Sequence, residues 1–232
     1  MDWFAPVDLY CERTDAGFWA EPLNACSNVA FLLAALAAAS RLRRAPGPDP
    51  AAALMIALVV SVGVGSYLFH SFANRWSSLA DVIPIAIFIH VYLFFALRRF
   101  LGLGPLSSFA GLLAFVLASR ALDAALAAVM SPGSVLAGSA AYVPAALAIF
   151  TVASLSSPTE IGRERGGLLL TGALFALSLT VRSVDQAICQ GFPVGTHWLW
   201  HVLNAIVLYR LVAAAIRLGP GRFSTPAPVE IG

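Results

Sequence analysis

The chain has 232 residues, 59% of them hydrophobic and only 11% charged, with a mean hydropathy of +0.84. Too few polar side chains remain to clothe a soluble core, so the composition excludes an ordinary soluble domain and points to the bilayer as the main solvent. A net charge of +2 from scattered basic residues gives no footprint for nucleic acid, and the absence of any lysine among the 14 basic residues excludes a retinal Schiff base, a PLP aldimine or a lysine nucleophile.

In chain order, the opening stretch MDWFAPVDLYCERTD has no basic segment leading into an apolar run. No cleavable signal is therefore expected, and the first membrane helix is expected to direct targeting. Apolar runs predict helices at Asn24–Ala39, Ala51–Phe72, Leu79–Leu97, Leu106–Val129, Val135–Leu155, Gly167–Cys189 and His197–Ile216. Turn-forming stretches separate them: RRAPGPDP, GLGP, SPG, SSPTE and QGFPVG. The expectation is an all-α membrane protein, one seven-transmembrane helix bundle over residues 1–218. Residues 1–23 form its outer N-terminal segment, and 219–232 a flexible Pro- and Gly-rich tail.

Arginine placement sets the expected orientation. Arg41, Arg43, Arg44, Arg98, Arg99, Arg163, Arg165, Arg217 and Arg222 fall on one side of a seven-span arrangement, and only Arg13 and Arg75 on the other. The positive-inside rule then puts the N-terminus outside and the C-terminus in the cytoplasm. Five of the 12 acidic residues, Asp2, Asp8, Glu12, Asp15 and Glu21, crowd the outer N-terminal segment, a density that calls for a cation nearby.

Ionisable groups within a membrane are costly and mark sites or buried pairs. Ser66 and His70 lie one turn apart at the outer end of the second span, Asp81 opens the third, and His197 and His201 open the seventh. The HxxxH spacing sets two imidazoles on one helix face, as chelation of a single ion requires; taken alone, such a pair serves equally to hydrogen-bond neighbouring helices. With His70 added, three nitrogens plus water make the open tetrahedral site of a catalytic zinc.

On these residues the sequence resembles the alkaline ceramidases. SYLFHSF followed by Asp81, VDQAIC, and THWLWH look like that family's hallmark blocks, in family order, and the similarity runs from about Asp8 to about Tyr209. The resemblance implies zinc held by His70, His197 and His201, with Ser66 and Asp81 as the catalytic side chains beside it. The substrate it implies is ceramide or another N-acyl lipid reached from the bilayer, cleaved to a fatty acid and an amine. YCER with EPLNACSN resembles the family's calcium-binding block, which implies calcium at Glu12 and Glu21 with Asp8, Tyr10 and Thr14. Here Leu9 stands in place of an aspartate, Tyr10 of a tryptophan and Thr14 of an asparagine, with Asp8 or Asp15 as substitutes. A solvated acidic segment without an ion is the alternative. The resemblance also implies a Cys11–Cys189 disulfide, where the cysteines alone allow three pairings; Cys26 is then a free thiol in the core.

Other polar residues are expected to be structural. His90 hydrogen-bonds between helices, Arg182 with Asp185 and Arg120 with Asp123 neutralise each other, and Arg210 snorkels to the cytoplasmic interface. Trp3, Trp19, Trp76, Trp198 and Trp200 form an interfacial belt. Competing with the hydrolase reading are a zinc-containing receptor of the adiponectin-receptor-like type and a transporter with incidental histidines. Arginine as the sole basic residue, with abundant alanine, points to a GC-rich bacterium and hence an inner-membrane site facing the periplasm. Oligomeric state is not legible.

Overall fold

A computed structural model describes residues 2–129 and 138–220, with the side chains of 158–161 and 163 left aside. It is all helical. Short helix α1 (Pro22–Ser27) runs almost straight into α2 (Val29–Arg43), and the two read as one span, Pro22–Arg43. There follow α3 (Pro50–Phe72), α4 (Arg75–Leu101), α5 (Pro105–Val129), a 3-10 turn at Ala140–Tyr142 leading into α6 (Val143–Leu155), α7 (Pro158–Ile188) and α8 (His197–Leu218). Six of the spans are long and apolar enough to cross a bilayer, and Ala140–Leu155 is a shorter apolar helix beside them. The molecule is thus a multi-pass membrane bundle. The expected start of the fifth span at Val135, the SPG turn and the tail from 221 lie outside the described residues.

Several boundaries follow from local chemistry. Pro50 sits at the first position of α3, where its missing N–H costs nothing, and Asp49 caps that end by accepting from the Ala52 amide at 2.9 Å. Leu79 is not the start of α4, which begins at Arg75 because Asn74 and Ser77 form a reciprocal capping box. Ala73, at φ 41°, ends α3 in the left-handed region, so the two helices are joined by two residues only. This tight hairpin sets the end of α3 directly beside the start of α4. Within α7, Gly162 breaks the helix at φ 35°, and the apolar span is Glu164–Ile188.

Helix α8 is the axis of the bundle, packed against α2, α3, α4 and α7, whereas α5 stands at the periphery. At the arginine-rich end, Arg99 is 2% exposed and does not lie free at an interface. It grips both oxygens of Asp49 at 2.6 Å and donates to the Ala215 carbonyl at 2.8 Å, which locks α4 to α3 and to the end of α8. Burial raises the Asp49 carboxyl, but the Arg99 guanidinium and the Ala52 amide outweigh it and hold the group below its ordinary value.

The polar residues expected to be structural depart from their predicted partners. Asp185 and Arg182 form no ion pair, nor do Arg120 and Asp123, among the described residues. In each helix the three-residue spacing permits a pair, but for Asp185 and Arg182 other groups compete successfully. His90 Nδ1 is bonded to the Ala86 carbonyl one turn back in its own helix, at 2.7 Å, so its bond is not interhelical. Arg210 turns to α7, donating to Thr171 Oγ1 and the Gly167 carbonyl. Cys26 is free as expected but exposed on the outer surface of the bundle, outside the core.

Candidate metal centre

The N-terminal segment folds back across the hairpin between α3 and α4. Val7 donates to the Ala73 carbonyl, Arg75 to the Ala5 carbonyl, and Trp76 to the Trp3 carbonyl. A disulfide from Cys11 to Cys189 ties the same segment to the end of α7, as the sequence resemblance implied. The segment thereby caps the end of the bundle where the histidines gather.

There His70, His197 and His201 are all buried, and one ligand atom from each lies within 4.8 Å of the others. Their ring centroids are 4.6–5.1 Å apart. The sequence placed these three together, and the structure does the same.

Hydrogen bonds set the tautomers of two of the rings. His70 Nδ1 lies 2.6 Å from Glu21 Oε2, and since a carboxylate only accepts, that nitrogen carries the proton. His70 Nε2, buried without a partner, is left with its lone pair. Ser27 donates its hydroxyl to the Asn24 carbonyl, so its oxygen accepts from His201 Nδ1 at 2.7 Å, and His201 Nε2 is freed in the same way. His197 Nδ1 is likewise buried without a partner, and its ring stacks on Tyr10 with centroids 3.5 Å apart. Three buried imidazoles this close, with orphaned nitrogens on His70 and His197 and the opposite edges of His70 and His201 held by carboxylate and hydroxyl, fit a zinc ion. Sequence reasoning missed Ser27 as a partner; SN after a predicted helix start is a common pair and carries no warning of it.

His197 is the first residue of α8, where its amide has no helical acceptor. Asp185 supplies one: its carboxylate accepts from the amides of His197 at 2.9 Å, Thr196 at 2.6 Å and Cys11 at 3.0 Å. This is why Asp185 has no need of Arg182. The approach is close enough that Gly195, at φ 62°, is the only residue type that fits; a Cβ there would lie 2.2 Å from Asp185 Oδ1. Arg182 instead donates to the Gly138 carbonyl, Ser139 Oγ and Tyr10 Oη, and lies over the rings of Tyr142 and Trp200. Burial pushes the Tyr10 phenol up, so it stays neutral against the histidine cluster.

Ser66 and Asp81 complete the cluster. Gly65 lets α4 approach so closely that a Cβ would lie 2.0 Å from the Ala80 carbonyl oxygen. Across this contact the side chain of Ser66 reaches the carboxylate of Asp81, and its Oγ lies 3.4 Å from His201 Nε2. Two groups able to move a proton or give a hydrogen bond thus stand at the edge of the histidine cluster.

The expected calcium ligands are not among the groups of three or more metal-type side chains found in the described residues. Glu12 accepts the Leu23 and Asn24 amides at 2.6 and 2.7 Å, capping α1. Glu21 is taken by Arg13 at 2.5 Å, by Asn24 and by His70. Burial raises the Glu21 carboxyl, but the hydrogen bonds from His70, Asn24 and Arg13 outweigh it and hold it below its ordinary value. Tyr10 faces His197, and Asp8 and Thr14 are exposed. The carboxylates of Glu12 and Glu21 thus already have protein donors, nothing here supports calcium at these residues, and the metal-type grouping found among the described residues is the histidine cluster.

Behind the cluster an apolar cavity runs through the bundle, lined by residues including Phe31, Phe88, Tyr142, Phe175, Trp200 and Leu211. Trp200 is 7% exposed and faces this cavity, so it does not belong to an interfacial belt. From Trp200 to Leu211 along α8 the cavity extends about 16 Å at 1.5 Å per residue.

The family model for ceramidases matches residues 9–219, nearly the whole chain. No curated protein matches the sequence.

Proposed function

Taking as premise that this chain belongs to the ceramidase family, we propose that it is a zinc-dependent amidohydrolase that cleaves the N-acyl amide of ceramide or a related lipid. The observation that carries the reading is the buried meeting of His70, His197 and His201, with orphaned nitrogens on His70 and His197. Zinc bound there supplies Lewis acidity to an amide carbonyl and brings the pKa of a water down to about 7.

The chain's own groups do the rest. Asp81 orients the attacking water and accepts its proton on a carboxylate oxygen; the same proton passes to the amide nitrogen as the C–N bond breaks, giving a carboxylic acid and a free amine. Ser66 Oγ donates to the carbonyl oxygen as it gains charge, a contact worth on the order of 3 kcal/mol in comparable sites. The apolar cavity suits an alkyl chain, with the amide at the Trp200 end, one residue from His201. Arginine distribution supports an outward-facing site, toward the periplasm if the membrane is a bacterial inner membrane.

The test is release of fatty acid from a panel of N-acyl lipids by purified protein, with and without a zinc chelator. Chelator-sensitive release that Asp81→Asn abolishes is expected. A zinc-loaded protein that hydrolyses none of the panel would favour the receptor reading.

A further inference from the structure

The acidic N-terminal segment calls for a cation, and the structure supplies one from within the chain. Arg13 has a side chain only 6% exposed, beside Glu21 at 2% and His70 at 0%. Its Nε donates to Glu21 Oε1 at 2.5 Å, its Nη1 to the carbonyls of Asp15 at 3.1 Å and Gly17 at 3.5 Å, and its Nη2 to the carbonyl of His70 at 2.9 Å. One carboxylate and three carbonyls around a positive centre is the donor set a hard cation takes from a protein. Here the centre is a guanidinium.

We propose that Arg13 is a built-in cation that positions the metal ligand His70, gripping its main chain directly and its ring through Glu21. The proposal rests on the reading of the three histidines as a zinc site. His70 lies in the last turn of α3, where carbonyls lack helical donors and a cation is favoured. Arg13 satisfies that carbonyl and at the same time compensates the buried charge of Glu21, which a carboxylate at 2% exposure requires. Glu21 Oε2 then accepts the proton of His70 Nδ1 and fixes the ring with Nε2 facing its two partners. A lysine lacks the planar fork that reaches the carboxylate and the His70 carbonyl together.

Two consequences separate this role from a merely structural one. Zinc affinity of the wild type is indifferent to calcium, because Arg13 already holds Glu21 Oε1 and the carbonyls of Asp15, Gly17 and His70. Replacement of Arg13 or Glu21 weakens zinc binding through His70, about 10- to 100-fold as for other carboxylates and donors behind a metal ligand.

The experiment is competition for zinc between full-length protein in detergent and a fluorescent chelator, on wild type, Arg13→Gln, Arg13→Lys, Glu21→Gln and the Arg13→Gln/Glu21→Gln pair. Spectra of the metal-free proteins carrying 15N-labelled histidine accompany it. The expected result is at least a tenfold loss for Arg13→Gln and Glu21→Gln, no further loss in the pair, a smaller loss for Arg13→Lys, and loss of the single Nδ1–H form of His70 in the Gln variants. If Arg13→Gln does not fold, the Lys variant carries the test, and wild-type affinity in it overturns the proposal. So does wild-type affinity in Arg13→Gln, or a wild-type affinity that calcium shifts. A wild type that binds no zinc defeats the zinc reading itself, a distinct outcome.

Discussion

Gly65→Ala probes the contact on which the catalytic arrangement depends. A Cβ at residue 65 would stand 2.0 Å from the Ala80 carbonyl oxygen and 2.7 Å from its carbon, where ordinary contact begins near 3.4 Å. Both atoms are backbone, so no rotamer relieves the overlap and one helix must move by about 1.4 Å. Helix α3 is held next to residue 65 by His70 to Glu21 and Arg13, whereas α4 is anchored at its two ends, by Arg75 and Trp76 and by Arg99, so the backbone at Ala80 and Asp81 between them yields. Asp81 then withdraws from Ser66, while the histidines on α3 and α8 stay together. The expected outcome is a stability loss of about 1–3 kcal/mol, read as a lower melting temperature in detergent. Zinc content stays near that of wild type, and fatty-acid release falls about 100-fold, as for a displacement near 1 Å at a reacting group. Release at the wild-type rate with an unchanged melting temperature would refute the helix contact and the role it gives to Asp81.

Asp185→Asn replaces one of two oxygens that together accept the Cys11, Thr196 and His197 amides; a destabilisation of about 1–3 kcal/mol and weaker zinc binding through a loosened His197 are expected, by thermal melt and chelator competition. At the opposite end, Asp49→Asn strands Arg99, 2% exposed, at a cost of about 3–5 kcal/mol. Since the Asp49 carboxyl is held below its ordinary value, its stabilisation is complete above that value and is lost as pH falls through the lowered one. The gap between wild type and Asp49→Asn should therefore be constant near neutrality and shrink in acid; a gap that widens in acid would contradict the assignment. Reduction of Cys11–Cys189 releases one anchor of the N-terminal segment, and tryptic cleavage after Arg13 should quicken; an unchanged rate would show that the other contacts suffice.

The bundle was legible because apolar run length alone sets membrane spans, and the histidine cluster because spacing and span order place all three rings at one end. What the sequence concealed is partner choice. Asp185 stands three residues from Arg182, and a one-turn pair was the natural expectation. Yet two unpaired amides at the start of α8, with that of Cys11 in the N-terminal segment, make a stronger claim on the carboxylate, and those arrive by tertiary folding. The acidic N-terminal segment suggested a cation nearby, and the structure sets the guanidinium of Arg13 against Glu21. Arg13 lies in the same stretch, and only the fold brings Glu21 and the His70 carbonyl to its guanidinium. Trp200, similarly, is one of five tryptophans near a helix start, and the inward face it occupies depends on how α8 is rotated among its neighbours.

The central claim is tested most directly by the zinc content of purified wild type beside His70→Ala, His197→Ala and His201→Ala. One zinc per chain in the wild type, and little or none in each variant, is the result this account predicts. A wild type free of zinc after purification and zinc addition, or variants that retain it in full, would contradict it.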